Sequence, residues 1–235
     1  MKALVVVVGL CTGACGRYGY DAIASGDDVD AADDDDDAAA GVDARSDGLI
    51  HDYRLNGDYT DELGGPDLTG LGGTFVAGGY QFAANQGLGV LGAMPDSVYT
   101  VDIVFQFDSL AGWRKILDFK NYATDDGYYT YDDQLQFVVV AGSVFATGPH
   151  ELAANTQLQS TLTRDATGHV IGYVNRVQAF EFDDTAGVAR LEAPGAVAHF
   201  FVDDTATGGG ESAGGIARRI RMYDRALAAN ELPPP

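Results

Sequence analysis

Cysteine is almost missing from this chain. Among 235 residues there are two, Cys11 and Cys15, and both stand within the first fifteen positions. Everything downstream must fold without a disulfide and cannot build a thiolate metal centre. Basic residues are scarce too: 14 Lys and Arg face 35 Asp and Glu, a formal net charge of −21. Such a surface lacks the basic patch that phosphate backbones require, which excludes nucleic acid as a partner, and it favours divalent cations. Long apolar runs are absent after the N-terminus. No later stretch reaches the ~18 apolar residues of a membrane-crossing helix. The four histidines, His51, His150, His169 and His199, show neither HxH nor HExxH spacing, which argues against zinc. Residues 87–92 (GLGVLG) match GxGxxG, but Ala93-Met94-Pro95 follows where a dinucleotide site needs a helix. Residues 210–214 (GESAG) match GxSxG, but a glycine-rich loop precedes them where a nucleophile elbow needs a strand.

What is present begins with an address. Met1-Lys2 is a short positive start, and residues 3–10 (ALVVVVGL) form an apolar run of eight. That run is too short for a bilayer and fits the core of a signal peptide. Thr12-Gly13-Ala14 then precedes Cys15. The segment resembles the lipobox of bacterial lipoproteins, whose cysteine is lipidated and becomes the mature N-terminus. The resemblance implies a signal peptide over 1–15, lipidation at Cys15, and a place in the cell envelope, at the outer membrane or cell surface. Contact with membrane is then through the lipid anchor alone. An ordinary cleaved signal, giving a secreted protein, and a buried N-terminal strand are the alternatives.

Residues 16–48 are Asp, Ala and Gly with almost no large apolar side chain after Ile23, and Asp33–Asp37 is an unbroken acidic run. Such a stretch cannot bury enough apolar surface to offset ordering entropy, and its charges extend it. A disordered acidic tether is expected here. From Leu49 onward the texture changes to period-two alternation. Over 99–107, Tyr99, Val101, Ile103, Phe105 and Phe107 fall on one face while Thr100, Asp102 and Gln106 fall on the other. Further strands are expected over 49–55, 74–83, 113–119, 127–131, 134–140, 157–164, 169–175, 177–182, 197–203 and 216–223, separated by Gly, Asp, Asn and Pro. Residues 225–232 read as one short helix with Asp224 as its cap. About eleven short strands at this spacing define an all-β fold, a two-sheet antiparallel sandwich or a barrel.

Four segments carry a family likeness. They are LIHDYRLNGDYTDELGG (49–65), YTVDIVFQFDSLAGWRKILDFKN (99–121), LTRDATGHVIGYVNRVQAFEF (162–182) and IARRIRMYDRALAANEL (216–232). Together they resemble a LamG-like jelly roll of the concanavalin A-like lectin/glucanase superfamily, spanning 49–235. The likeness implies a β-sandwich and a non-catalytic binding or adhesion module for carbohydrate or protein ligands. The superfamily also holds glycoside hydrolases, and a purely structural surface protein is a third reading. Retaining glucanases of this fold place their acids as E-x-D-x-x-E on one strand face. The nearest match, Glu181-Phe182-Asp183-Asp184, lacks the second Glu. One departure has a conformational cost: Asn175-Arg176 replaces the Asn-Gly of the family's hairpin, where both central residues need positive φ.

Two sets of site residues follow. Trp113, Tyr129 and Tyr131 are candidates for an aromatic sugar platform, Tyr129 and Tyr131 sharing one strand face and Tyr128 the other. Core filling is the competing role. Calcium is the implied ion, since such jelly rolls often carry one held by hard oxygen ligands. Asp203 and Asp204 at a strand end, with Asp52 and Asp58 in the opening strand and its loop, are its candidate ligands. Solvated loop carboxylates are the competing role. The address itself is directly testable: Cys15→Ser is expected to shift the full-length protein from the membrane pellet to the soluble fraction, and a variant that still pellets removes the lipid anchor.

Overall fold

The computed structural model describes residues 46–95, 97–139, 143–190 and 197–235. The chain divides into two units, Met1–Ala40 and Gly41–Pro235. Cys15 and the segment 16–45 lie outside the described residues. The strands are β1 (Leu49–Tyr53), β2 (Thr69–Leu71), β3 (Thr74–Val76), β4 (Gly79–Phe82), β5 (Gly87–Leu91), β6 (Tyr99–Phe107), β7 (Trp113–Asp118), β8 (Gly127–Tyr131), β9 (Gln134–Val139), β10 (Ser143–His150), β11 (Leu158–Arg164), β12 (His169–Val174), β13 (Val177–Asp183), β14 (Val197–Phe200) and β15 (Gly215–Tyr223). They form two antiparallel sheets. One has the order β13-β12-β11-β6-β15-β4-β3, with β1 also paired to β15; the other runs β10-β9-β8-β7-β14-β5-β2.

The alternation of β6 decides how the sheets meet. Tyr99, Val101, Ile103, Phe105 and Phe107 enter one core with Leu117, Phe119, Tyr128 and Phe137 of the seven-stranded sheet. Rings meet across the gap: Tyr99–Phe119 at 6.1 Å, Tyr128–Phe180 at 6.2 Å and Phe137–Phe182 at 5.1 Å between centroids. Each such side chain contributes about 1.5–3 kcal/mol by leaving water, and the ring pairs add roughly 0.5–1.5 kcal/mol each. The molecule is therefore a β-sandwich. The GxGxxG segment is strand β5 inside it. A Cβ on Gly87 would lie 2.0 Å from the Phe200 carbonyl oxygen, so that glycine serves the close approach of β14.

The expected helix over 225–232 does not form. Residues 224–235 instead run back over the outer face of the eight-stranded sheet as turns and extended chain. The cause is competition for backbone groups. The Thr100 hydroxyl donates to the Arg225 carbonyl and accepts from the Leu227 amide. Leu227 and Leu232 are buried with Tyr173 and Tyr223. Gln159 Nε2 and Arg221 Nη2 then donate to the Pro233 and Pro234 carbonyls at 2.9 Å each. Beneath this strap Asp102 accepts from Arg221, Gln159 and Thr161 at 2.6–2.9 Å. Burial still raises its pKa against their pull.

The hairpin between β12 and β13 turns through Asn175 (φ 48°) and Arg176 (φ 69°), as a tight two-residue turn demands. Asn175 is anchored, its side-chain oxygen accepting from the Gln159 amide at 2.9 Å. Arg176 bears the left-handed cost uncompensated. Arg176→Gly is expected to raise stability by about 0.5–1 kcal/mol, measured as a higher urea midpoint at unchanged slope.

Candidate functional site

The outer face of the seven-stranded sheet is built by β7, β8 and β9, and its residues follow from register. Trp113 pairs with Tyr131 and Lys115 with Tyr129. Gln136 and Gln134 flank the two tyrosines on β9. The period of two sends Tyr128 inward, where its hydroxyl meets Ser160 Oγ at 2.5 Å, and leaves Tyr129 and Tyr131 outside. The three candidate platform residues are brought together. Trp113 lies 4.4 Å from Tyr131 and 5.8 Å from Tyr129 between ring centroids. Their exposure differs: Tyr131 is 37% exposed and Tyr129 is 0% exposed. Trp113 and Tyr131 can therefore touch a ligand, and Tyr129 supports Trp113 edge-on from below. Gln134, which accepts a 3.2 Å hydrogen bond from the buried Gln136, and the His150–Asp133 pair supply a polar border.

Tyr129 is buried because a loop, residues 201–214, crosses beside it. The loop is held by Lys115, itself 0% exposed. The Lys115 ammonium donates to Asp204, lies 3.5 Å from Asp118, and sits 4.8 Å from the Tyr129 ring centroid. An ammonium in such a place needs carboxylates, because an unpaired buried charge costs several kcal/mol. Burial alone would raise the Asp204 pKa, yet Lys115 and the amides of Ala206 and Thr207 bring it below the ordinary value. The Tyr129 hydroxyl donates to Asp125 at 2.8 Å. Beside it Glu211 is pushed up to about 7, by burial first and then by Asp125, Asp203 and Asp204.

The four aspartates expected to hold calcium are not brought together. Asp203 and Asp204 stand on the outer side of the seven-stranded sheet. Asp52 is on the opposite side of the sandwich, paired through both oxygens with Arg219 at 2.7 Å. Asp58 is in an exposed turn, where it accepts from the Thr60 amide. Asp203 is occupied as well, accepting from the Asp204 and Glu211 amides and the Thr207 hydroxyl. Among the described residues no three or more His, Cys, Asp or Glu are arranged to hold a metal ion. This ligand set does not fit Ca²⁺.

Lys115, Asp118, Asp125, Glu211, Tyr122 and His199 were not among the sequence candidates. Lys115 gives no signal of burial in WRKILD, since what covers it arrives about ninety residues later. His199, on β14, is 6% exposed, and neither ring nitrogen has a hydrogen-bond partner. Burial, then the charge of Lys115, lowers its pKa to about 4.

No protein-family model matches this chain, and no curated protein matches it. Solved structures match it in fold. Trypanosoma rangeli sialidase aligns with a TM-score of 0.60 at 17% identity, over 78% of this chain and 32% of that one. Domain 4 of AbnA, an extracellular arabinanase from Geobacillus stearothermophilus determined with arabinotriose, gives 0.56 at 17% identity, over 78% of this chain and 95% of that one. The binding domain of botulinum neurotoxin serotype D gives 0.56 at 11% identity, over 79% and 50%. The chain spans about a third of the sialidase length. At these identities the likeness is one of fold.

His199 makes stability depend on acid. Its folded pKa lies below the ordinary 6.5, so between pH 6.5 and about 4 the unfolded chain takes up a proton that the folded chain refuses. The contribution is fully present above 6.5 and falls by about 3 kcal/mol on acidification to pH 4. His199→Phe is expected to flatten this part of the stability–pH profile, measured by urea unfolding at stepped pH.

Proposed function

We propose that residues 49–235 are a concanavalin A-like, LamG-like jelly roll acting as a non-catalytic carbohydrate-binding module, displayed at the cell envelope on the acidic tether from lipidated Cys15. The observation that carries the reading is the Trp113–Tyr131 pair. An exposed ring beside a half-buried one, bordered by the half-buried Gln134, offers what a sugar needs: an apolar face for its C–H groups and an amide for its hydroxyls. Tyr129 and the Lys115-held loop fix the indole from below, so little order has to be gained on binding. The fold match to an arabinanase domain determined with arabinotriose supports a saccharide over a protein ligand.

Glycoside hydrolysis is the alternative. Glu211, whose pKa is pushed up to about 7, is among the described residues the group best suited to act as its acid. The non-catalytic reading draws on how the neighbouring carboxylates are used: Asp204 is bound to Lys115 and Asp203 to two amides and a hydroxyl. Glu181 lies on β13 of the other sheet, bonded to Gln178.

Glycan-array binding by the full-length protein, with and without calcium, tests the proposal. Trp113→Ala is expected to weaken the best glycan at least tenfold, a loss of about 1.4 kcal/mol, with the fold unchanged by circular dichroism. Binding that survives Trp113→Ala moves the site elsewhere. Turnover of a glycan that disappears in Glu211→Gln favours the hydrolase.

A further inference from the structure

A second feature of the same sheet lies beyond the aromatic platform, at the far end of β7. The turn after Asp118 places two consecutive non-glycine residues in the left-handed region, Asn121 (φ 51°) and Tyr122 (φ 66°). An aromatic residue there is a true outlier, and such strain persists only where surrounding bonds impose it. Those bonds are present. The Tyr122 amide donates to Asp118 at 2.9 Å. Its carbonyl accepts from the Thr205 amide and hydroxyl at 3.3 and 2.9 Å. The result is that the Tyr122 ring stands edge-on to His199, 3.8 Å between centroids. His199 is the buried imidazole whose two nitrogens meet no partner. One contact thus combines a strained backbone and an unsatisfied buried polar group, each unfavourable by itself.

Tyr122 also belongs to the wall of a groove, with Asn85, Asp203, Asp204, Thr205 and Gly209. It therefore separates His199 from that groove. We propose that the groove is a second saccharide subsite, in which the Tyr122 ring swings aside and the His199 imidazole bonds a ligand hydroxyl.

Charge selects the ligand class. A neutral imidazole donates from one nitrogen and accepts at the other, the same pair of roles a hydroxyl has. Lys115 lies close enough to depress His199, which opposes a cationic ligand there. Asp203 and Asp204 on the wall oppose an anionic one, and their own lone pairs are largely spent on Lys115, amides and Thr207. A neutral polyhydroxyl compound remains. The subsite rests on the carbohydrate reading for its ligand class, while its residues are separate from the platform.

The test is NMR of the full-length protein with 15N-labelled histidine and tryptophan, titrated with arabinotriose and, separately, a neutral glucan trisaccharide. The four imidazoles and the single indole report both places at once. The expected result is a shift of the His199 ring signals with His51 and His169 unmoved, His150 reporting with Trp113 on the platform. Tyr122→Ala should lower the midpoint of that shift several-fold. Asn121→Gly, which removes backbone strain from the closed turn and keeps the ring, should raise that midpoint, the opposite of Tyr122→Ala, and serves if that variant does not fold. A response at Trp113 without one at His199, in wild type and variants, overturns the subsite and leaves the platform standing. A response at His199 without one at Trp113 supports the subsite and removes the platform. No response at either overturns both.

Discussion

The ammonium of Lys115 is the constraint on which the candidate site depends. It is fully buried on the outer face of the seven-stranded sheet, so carboxylates must come to it. Asp118 arrives from its own strand and Asp204 from the loop after β14. That pairing draws the 201–214 loop over the sheet and covers Tyr129, which then supports Trp113. The Lys115 charge also adds to burial in lowering the His199 pKa. Replacing Lys115 by a neutral residue would leave two buried carboxylates facing Tyr129, a change far more damaging than loss of one surface pair. Lys115 thus bears on the position of the aromatic rings and, second to burial, on the state of the histidine.

The other face solves the same problem differently. There the buried charge is Asp102, and its partners are Arg221, Gln159 and Thr161 from neighbouring strands. These long side chains need a cover, and the C-terminal strap provides it with proline carbonyls. The two outer faces of the sandwich are therefore polar interiors, each closed by chain that belongs to no strand. One cover seals its sheet; the other leaves Trp113 and Tyr131 at its margin.

Most strand positions were legible in the sequence because alternation is local: Tyr99 to Phe107 states its buried face outright, and Tyr129 and Tyr131 could be assigned to one side from period two alone; β2, β5 and β10 were not expected, and the strand expected over 74–83 divides into β3 and β4. The turn at Asn175-Arg176 was legible for the same reason. What failed was non-local. Residues 225–232 have helix-forming composition, but Thr100 lies 125 residues earlier and takes their backbone groups. The aspartates 52, 58, 203 and 204 resemble one another in sequence, yet topology sends Asp52 to one side of the sandwich and Asp203 and Asp204 to the other, with Asp58 in an exposed turn. Lys115 and His199 carry no mark of burial, since neither the loop that encloses one nor the tyrosine that covers the other adjoins it in the chain.

The contact of Asp47 and Gly48 with the segment after β15 has a mechanical consequence. Just ahead of β1, the Gly48 carbonyl accepts from the Asp224 amide at 2.9 Å. Asp47 is paired with Arg225, which in turn grips Glu231 in the terminal strap. A pull on the chain preceding residue 46 does not peel β1 alone. It loads this clasp first, and through it β15, the strand that pairs with β1, β4 and β6 together. Tension entering at the N-terminal edge is thereby spread into the centre of the eight-stranded sheet, while the platform on the opposite sheet lies off the line of force.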